Sequence, residues 1–329
     1  MGIFRWLLLP LSLIYVITTY IRNLFYDKRV FESYTFNTQT ICVGNLSVGG
    51  TGKSPMIEHL IELYKDDFNI AVLSRGYKRK TKGCIEVNTE MTAVQVGDEP
   101  LQFKRKFKDV IVFVDADRKN GIEQIEKTYP NTELILLDDA YQHRKVKADI
   151  NILLTTYEKP FFKDFILPVG RLRELVQGKH RADVIIVTKC PENLSVKKME
   201  SMKRRINANH NQEVLFSKIT YDKKIYTKTE GLRLKTFNDF CLVTGIANPR
   251  PLIQYLKQQH KTFEHLKFSD HHNFSSQEIE NLRALSKPIL TTEKDFTRLS
   301  QNIEDNMYYL PIKVGLNKDL KTILNIKPQ

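Results

Sequence analysis

The sequence has few cysteines, and none of them is spaced for a shared task. They stand at positions 42, 84, 190 and 241, so no two form the short pair that a structural metal site uses. Cys42 and Cys241 lie inside apolar runs, as small core residues do, and a reduced, cytosolic compartment is therefore expected. The sequence also lacks internal repeats and low-complexity segments. With 41% hydrophobic and 27% charged residues it is typical of a globular chain.

The sequence lacks an apolar run long enough to span a bilayer comfortably. Residues 6–21 carry no charge and are bracketed by Arg5 and Arg22. As a helix this stretch would be about 24 Å long, against a hydrocarbon core of roughly 30 Å. A membrane-embedded or interfacial anchor is favoured, because aromatic rings near the stretch suit the headgroup level. A buried core helix, a true span and a signal peptide are the alternatives.

Acidic residues are in deficit. The chain has 51 Lys and Arg residues against 38 Asp and Glu residues, a net charge of +13 and a pI near 9.4. This balance favours an anionic partner: a phosphorylated small molecule, a nucleic acid or an acidic membrane surface. No RNA- or DNA-binding module is recognisable, so nucleic acid is not an expected partner.

What the sequence does have is a glycine-rich turn between a β-branched run and a Lys-Ser pair, within residues 40–55. In a phosphate-binding loop, successive backbone N–H groups surround phosphate oxygens, the lysine reaches the β and γ phosphates, and the hydroxyl binds Mg²⁺. Ser47 takes the place of the usual first glycine. An ordinary glycine turn is the alternative. The candidate nucleotide-binding residues are Ser47, Val48, Gly49, Gly50, Thr51, Gly52, Lys53 and Ser54.

Two carboxylates, Asp138 and Asp139, follow a later apolar run. An acid at the end of such a strand orients Mg²⁺ directly or through water in nucleotide-binding sites, so these residues and Ser54 form the predicted metal site. Two acids that cap a helix are the alternative. Strands alternate with helices along this part of the chain, which predicts an α/β fold with a doubly wound parallel sheet.

The pattern also predicts a division of the chain into four parts. Residues 1–28 form the membrane-associated helix, and residues 29–218 form the nucleotide-binding domain. Residues 219–235, rich in Tyr, Thr and Lys, are expected to form a hairpin linker, and residues 236–329 a smaller α/β domain. We expect no zinc site at the adjacent histidines 271 and 272, because a third ligand at sensible spacing is missing.

Two further stretches bear on the ligand. Residues 188–191 read Thr-Lys-Cys-Pro where a GTPase would place Asn-Lys-x-Asp, so ATP is a better prediction than GTP. Arg75 opens a run of cations directly after an apolar strand. Because open α/β sheets bind ligands at this end of their strands, the run is either a contact to substrate or phosphate, or a solvated turn.

Taken in order, these landmarks resemble the tetraacyldisaccharide 4′-kinases, the lipid A kinases of Gram-negative bacteria. The resemblance covers nearly the whole chain. In two places the chain departs from the usual motif: Ala140-Tyr141 replaces Gly-Phe, and Arg171 replaces proline. The motifs that carry the resemblance lie at residues 44–55, 74–77, 97–100, 115–118, 137–144, 167–174, 270–272 and 292–295.

The resemblance implies a two-domain P-loop kinase, expected as a monomer on the cytoplasmic face of the bacterial inner membrane, either peripheral or monotopic. It would use ATP and Mg²⁺ to phosphorylate the 4′-hydroxyl of an anionic glycolipid, a tetraacyl glucosamine disaccharide 1-phosphate, and so form lipid IVA. Asp98, paired with His271, would be the catalytic base. The resemblance also places further residues in the active-site cleft: Arg75, Arg118, Gln142, Arg173 and Glu174.

Two alternatives remain open at this level. Without the resemblance, Asp98 reads as the cap of a helix that begins near Pro100, and His271 as a loop histidine. The alternative function is a membrane-associated P-loop ATPase switch without a lipid substrate, which would also carry the double aspartate.

Overall fold

A computed structural model describes residues 7–270, 272, 274–303 and 305–327 of the chain. In chain order its helices and strands are α1 (Leu9–Asp27), β1 (Gln39–Asn45), α2 (Lys53–Tyr64), β2 (Ile70–Ser74), β3 (Ile85–Glu86), α3 (Ala93–Val96), α4 (Asp98–Lys106), β4 (Ile111–Val114), α5 (Arg118–Thr128), β5 (Leu134–Asp138), β6 (Ile150–Thr156), β7 (Val184–Thr188), α6 (Val196–Ile206), β8 (Glu213–Tyr221), β9 (Lys224–Tyr226), β10 (Gly231–Arg233), β11 (Phe240–Thr244), α7 (Arg250–Gln258), β12 (Phe263–Lys267), α8 (Ser276–Arg283), β13 (Ile289–Thr292), α9 (Glu293–Leu299), β14 (Met307–Leu310), β15 (Ile312–Leu316) and α10 (Leu320–Leu324).

The larger of two sheets has nine strands in the order β15-β8-β7-β6-β1-β5-β2-β4-β3. Its seven inner strands run parallel, and only the edge strands β3 and β15 are antiparallel to their neighbours. The chain leaves β1 through α2 and returns at β2, two positions away, because β5 is inserted between them. This confirms the predicted α/β class with a parallel sheet, in which ligand-binding loops gather where the strands end.

Both faces of this sheet are covered. In β1, Ile41 and Val43 join the cluster under α2, whereas Cys42 between them joins the cluster on the opposite face. The same alternation separates Val72 from Leu73 in β2. Successive side chains of a strand point to opposite faces, so a strand buried on both sides reads as a continuous apolar run.

The smaller sheet has six strands in the order β10-β9-β14-β13-β11-β12. Four of them run parallel, and β9 and β10 add an antiparallel hairpin at one edge. We call this sheet with α7, α8 and α9 the smaller unit, and the nine-stranded sheet with its helices the larger unit.

Sheet membership differs from the predicted division at two places. The stretch expected to be a linker contributes β9 and β10 to the smaller sheet. After β14 the chain returns, because β15 pairs with β8 of the larger sheet and α10 packs its leucines into the core under α2. The local pattern of residues 312–324 fits a strand and a helix, but it carries no information about which sheet they join.

Helix α1 has an unusual distribution of side chains. Most of its apolar residues are exposed, and only Ser12 among its residues is buried. The helix is longer than the uncharged stretch that predicted it, since it continues to Asp27. Even so, none of the helices that the structure describes is long and apolar enough to cross a membrane. Its exposed large apolar side chains are Leu9, Leu11, Leu13, Ile14, Ile17, Tyr20, Ile21 and Phe25.

The returning segment yields a stability prediction. Leu320 is 2% exposed in the core under α2, so we expect Leu320→Ala to lower the free energy of unfolding by about 2–4 kcal/mol. Hydrogen exchange should accelerate in α2 and β8 and stay unchanged in β11 and β13. Leu266→Ala, at a position that is 38% exposed in β12, is the control and should cost little. Faster exchange confined to the smaller sheet would contradict this assignment of the C-terminal segment.

Candidate active site

The glycine-rich loop, residues 46–52, joins the end of β1 to α2. Gly49 and Gly52 have φ angles of +110° and +94°, which side chains with a Cβ rarely adopt. Gly52 is the residue that caps α2, so Lys53 and Ser54 occupy the first turn of that helix. A helix N-terminus with its free N–H groups favours anions.

Two neighbouring segments hold this loop in place. On one side it pairs with residues 171–173: the Val48 N–H donates to the Arg171 carbonyl over 2.8 Å, and the Arg173 N–H to the Leu46 carbonyl over 2.7 Å. On the other side Thr188 Oγ1 donates to the Thr51 carbonyl and Lys189 Nζ to the Gly50 carbonyl. Within the loop the Thr51 N–H donates to the Gly49 carbonyl, so the N–H groups of Val48 and Thr51 are both engaged in this structure.

Asp139 lies between two cations. Its Oδ1 atom is 2.8 Å from Arg173 Nη1 and 3.6 Å from Lys53 Nζ. Burial alone would raise the pKa of Asp139, but Lys53 and Arg173 outweigh it and hold the pKa below its usual value. The residue adopts a φ of +49° directly after β5, which turns its carboxylate toward the loop lysine.

Asp138, the last residue of β5, is in the opposite electrostatic situation. It is 1% exposed, its Oδ2 accepts a hydrogen bond from Ser74 Oγ, and its Oδ1 has no hydrogen-bond partner. Burial, with smaller contributions from the carboxylates of Glu99 and Asp139, raises the pKa of Asp138 to about 7. An orphaned, buried carboxylate oxygen is a position that a cation would satisfy.

A polar chain leads away from Asp139. Arg173 Nη1 also donates to Gln142 Oε1, and Gln142 Nε2 donates to Glu174 Oε1 over 3.0 Å and to the Asn45 carbonyl over 2.7 Å. Glu174 is fully buried and is paired with Arg181. The structure therefore brings three of the residues named by the resemblance (Gln142, Arg173 and Glu174) into one network with Asp139 and Lys53.

The two remaining arginines differ from each other. Arg118 is fully buried and donates to the carbonyls of Asp115 and Asp138, so it braces the backbone beneath the acids and does not line a cleft. Arg75 follows β2 directly and is exposed. The cleft position expected for Arg118 is thus not where its side chain lies.

Helix α4 brings Asp98 and Glu99 to the same region. It begins at Asp98 itself, after Gly97, whose φ is +96° and whose absent Cβ would lie 3.2 Å from the Gly76 backbone. This close approach fixes the start of α4 against the loop that follows β2. Ser54 Oγ donates to Glu99 Oε1 over 2.8 Å. Glu99 therefore lies beside the predicted metal-binding hydroxyl, although the sequence pattern did not single it out.

Asp98 is bound across the boundary between the two units. Its carboxylate accepts hydrogen bonds from Nε and Nη2 of Arg298, which lies on α9 of the smaller unit. Gly97 occupies the cap position of α4 and Asp98 is the first residue of the helix, so the capping alternative is not favoured. His271, its expected partner, lies outside the described residues, so their pairing stays a prediction.

A network of ion pairs also joins the two units. Lys106 Nζ of α4 is 2.6 Å from Glu58 of α2 and 3.0 Å from Glu293 of α9. Burial, together with Glu58, raises the pKa of Glu293 to about 7, because one lysine serves two carboxylates. Helix α4 is thereby tied both to the helix that follows the glycine-rich loop and to the smaller unit.

The oxygen donors at this site suit a Mg²⁺ ion that is bound partly through substrate phosphates. They do not suit a metal ion that is held by protein ligands alone. No group of three His, Cys, Asp or Glu side chains in the described part of the chain is arranged to hold a metal ion. Mg²⁺ prefers oxygen ligands and is commonly bound through one or two carboxylates plus substrate phosphates. Ser54 Oγ, the free Oδ1 of Asp138 and Glu99 are oxygen donors of that kind.

The fold and the site define a mixed α/β protein built on parallel sheets, with charged side chains gathered where the central strands end. Comparison with known proteins is more specific. The chain belongs to the family described as tetraacyldisaccharide-1-P 4′-kinase (LpxK), whose match covers residues 4–328. The resemblance noted in the sequence is confirmed.

Individual relatives agree with the family assignment. The chain is 45% identical over 319 residues to the tetraacyldisaccharide 4′-kinase of Flavobacterium johnsoniae, covering 95% of this chain and 93% of that protein. It is 46% identical over 321 residues to the enzyme of the same name from Flavobacterium psychrophilum, with the same coverage. Among solved structures, LpxK from Aquifex aeolicus in complex with ATP superposes with a TM-score of 0.80 at 28% identity, covering 98% of this chain and 99% of that one.

The raised pKa of Asp138 predicts a pH-dependent stability. Between about pH 4 and pH 7 the folded chain holds a proton on Asp138 that the unfolded chain has released, so the stability contributed by this group falls as pH rises through that window. In the absence of metal and nucleotide, Asp138→Asn should be more stable than the wild type at pH 8, on the order of 2–4 kcal/mol, and the difference should shrink toward pH 5. Chemical denaturation at both pH values measures this.

Asp139→Asn is the matched control and should behave in the opposite way. Its carboxylate is stabilised by Lys53 and Arg173, so the substitution should destabilise the chain at pH 8. If Asp138→Asn followed the wild-type pH dependence without a gain at pH 8, the buried, protonated state of Asp138 would be refuted.

Proposed function

We propose that this chain is an ATP-dependent kinase that transfers the γ-phosphate of ATP to the 4′-hydroxyl of a tetraacyl glucosamine disaccharide 1-phosphate, giving lipid IVA. The observation that carries the proposal is the family match over residues 4–328. The site supports it, because a loop lysine, a hydroxyl and buried carboxylates are the groups that phosphoryl transfer from a nucleotide requires.

In this proposal the glycine-rich loop is the phosphate-binding loop. Residues 47–54 surround the phosphates, and Lys53 neutralises charge on the transferring phosphoryl group. Lys53 is held 3.6 Å from Asp139 in this structure, so binding of the nucleotide would exchange one anion for another at its ammonium. Arg173 contacts the same carboxylate and would continue to neutralise the charge of Asp139 when the lysine turns to the phosphates.

Mg²⁺ would be held by Ser54 and Asp138, with Glu99 next to the serine. Asp139 was predicted as a second metal residue, but in this proposal it positions the lysine, because its carboxylate lies 3.6 Å from Lys53 and 2.8 Å from Arg173. When bound, the ion would neutralise charge on the β and γ phosphates. Asp138, whose pKa burial raises to about 7, would hold the ion in its deprotonated form.

Asp98 would accept the proton of the attacking 4′-hydroxyl, with His271 as its partner. A sugar hydroxyl is a poor nucleophile until its proton has an acceptor within hydrogen-bond reach. Arg298 holds the carboxylate of Asp98 through two hydrogen bonds, from its Nε and Nη2 atoms. Because Arg298 lies on α9, the smaller unit takes part in orienting the base.

Helix α1 would lie in the membrane surface as a peripheral or monotopic element, on the cytoplasmic face of the bacterial inner membrane. Its outward apolar residues are those that one leaflet would accept, and an acylated acceptor resides in such a leaflet. The basic charge of the chain suits both the anionic glycolipid and an acidic headgroup layer. We propose a monomer.

The test is incubation of the purified protein with ATP, Mg²⁺ and the disaccharide lipid in detergent, followed by mass analysis. The expected result is a lipid product with one added phosphate. Lys53→Ala should be nearly inactive, whereas Lys197→Ala, which removes an equal charge from the exposed surface of α6, should keep full activity. Consumption of ATP without any phosphorylated lipid would reject the kinase and favour an ATPase switch.

The same assay tests the base. Asp98→Asn and His271→Ala should each lower kcat strongly while ATP affinity changes little, and the double variant should be scarcely worse than the poorer single one. Losses that multiply in the double variant, or near-normal turnover of Asp98→Asn, would return both residues to structural roles.

A further inference from the structure

Helix α1 presents polar side chains to the body of the protein, which is the reverse of an ordinary surface helix. Ser12, Tyr15, Thr19 and Asn23 recur at spacings of three and four residues, so they form one stripe along the helix. All four are buried or half-buried, whereas the apolar residues between them are mostly exposed. A helix that needed only to be anchored in lipid would require no such stripe.

The stripe contacts the segment that pairs with the glycine-rich loop. Ser12 Oγ accepts a hydrogen bond from the Val169 N–H over 3.2 Å. Tyr15 Oη donates to the Arg173 carbonyl over 2.9 Å. Asn23 Nδ2 donates to Glu174 Oε2 over 2.9 Å. Two consecutive residues of the candidate site are thus fixed from α1, one through its backbone and one through its carboxylate.

The contact at Asn23 is the start of a continuous polar path. Glu174 accepts from Gln142, Gln142 accepts from Arg173, and Arg173 donates to Asp139, which is paired with Lys53. The other oxygen of Glu174 is the one that Asn23 holds. Because Glu174 is fully buried, loss of one donor leaves an oxygen unsatisfied, and the side chain must shift to recover a partner.

We propose that helix α1 is a positioning element of the active site, with Asn23 as the positioning residue that holds Glu174 and, through it, Gln142 and Arg173. This inference rests on the proposed kinase function. The one helix then has two faces with two tasks: the apolar face meets lipid, and the polar face orients the groups around Lys53. The segment predicted as a membrane-associated helix, residues 1–28, then serves both membrane attachment and turnover.

The test separates turnover from membrane binding. Asn23→Ala should lower kcat for lipid phosphorylation about tenfold, as loss of a hydrogen bond to a charged group would, with the KM for the lipid little changed. Sedimentation with vesicles of phosphatidylethanolamine and phosphatidylglycerol should be the same as for the wild type, because the apolar face is intact. Thr18→Ala is the control on the same helix, since its hydroxyl donates to the Ile14 carbonyl of α1, and it should keep full activity.

Two further variants decide the matter if Asn23→Ala folds poorly. Tyr15→Phe removes only the hydroxyl that donates to Arg173, and it should also lower kcat without changing vesicle binding. Asn23→Asp places a carboxyl group against Glu174, and that group must be protonated in order to donate. Its activity relative to the wild type should therefore rise as pH falls from about 8.5 to about 6.

Several charged groups face Asn23 and Glu174 and must be considered when the pH profile is interpreted. Arg22 donates to Asn23 Oδ1, Arg144 to the Asn23 carbonyl and to Asp27, and Arg181 to Glu174. The substitution leaves these groups in place, so a rise in activity relative to the wild type at lower pH reports on the introduced carboxyl group.

The outcomes are distinct. Wild-type kcat in both Asn23→Ala and Tyr15→Phe would overturn the inference, as would a loss of activity that only follows a loss of vesicle binding. A flat relative pH profile for Asn23→Asp would also contradict it. Failure of the kinase proposal would be recognised separately, because the wild-type chain would then phosphorylate no lipid. In that case the positioning role would be rejected as well.

Discussion

The Asp139 carboxylate, held between Lys53 and Arg173, is the interaction on which the arrangement of the site depends. Lys53 is the first residue of α2, Arg173 belongs to the segment paired with the glycine-rich loop, and Asp139 directly follows β5, the strand next to β1. Three pieces of chain that are far apart in sequence therefore meet at one half-buried charge. Because a carboxylate that is largely removed from water is costly without cations, the three pieces stabilise one another's positions.

A second set of ion pairs joins the two units in the same way. Lys106 links α2, α4 and α9, and Arg298 of α9 binds Asp98 at the start of α4. At its start α4 also contacts α2, through the hydrogen bond from Ser54 to Glu99. Each end of α4 therefore contacts both α2 and α9. The smaller unit therefore contributes to the site through charged contacts, and substitutions in α9 that never touch substrate are expected to act on Asp98.

The sequence predicted most of what is local. The glycine-rich loop, the strands around it and the acids at 138 and 139 follow from short patterns whose chemistry is self-contained. The return of β15 to the larger sheet was missed, because strand pairing over a long separation leaves no local signal. Arg118 was expected in a cleft since a motif gives position along the chain but not burial.

Other misses have identifiable signals. Glu99 stands beside Asp98 in the Gly97–Pro100 motif, and its carboxylate is the signal that could have placed it next to Ser54. The polar stripe of α1 was visible as Ser12, Tyr15 and Asn23 at helical spacing, but the uncharged stretch was interpreted only through its apolar residues. Lys189 could have been found from its place after β7, where its side chain reaches the Gly50 carbonyl.

The central claim is that the polar path from α1 to Lys53 acts as a unit, and a double-mutant cycle between Asn23 and Gln142 tests it most directly. The measured quantity is kcat for Asn23→Ala, Gln142→Ala and the double variant. The account predicts a coupling energy of about 1 kcal/mol or more, with the double variant scarcely slower than the poorer single one, because both substitutions break the same path. Losses that multiply would show that helix α1 and the active site are energetically independent, and would contradict the account.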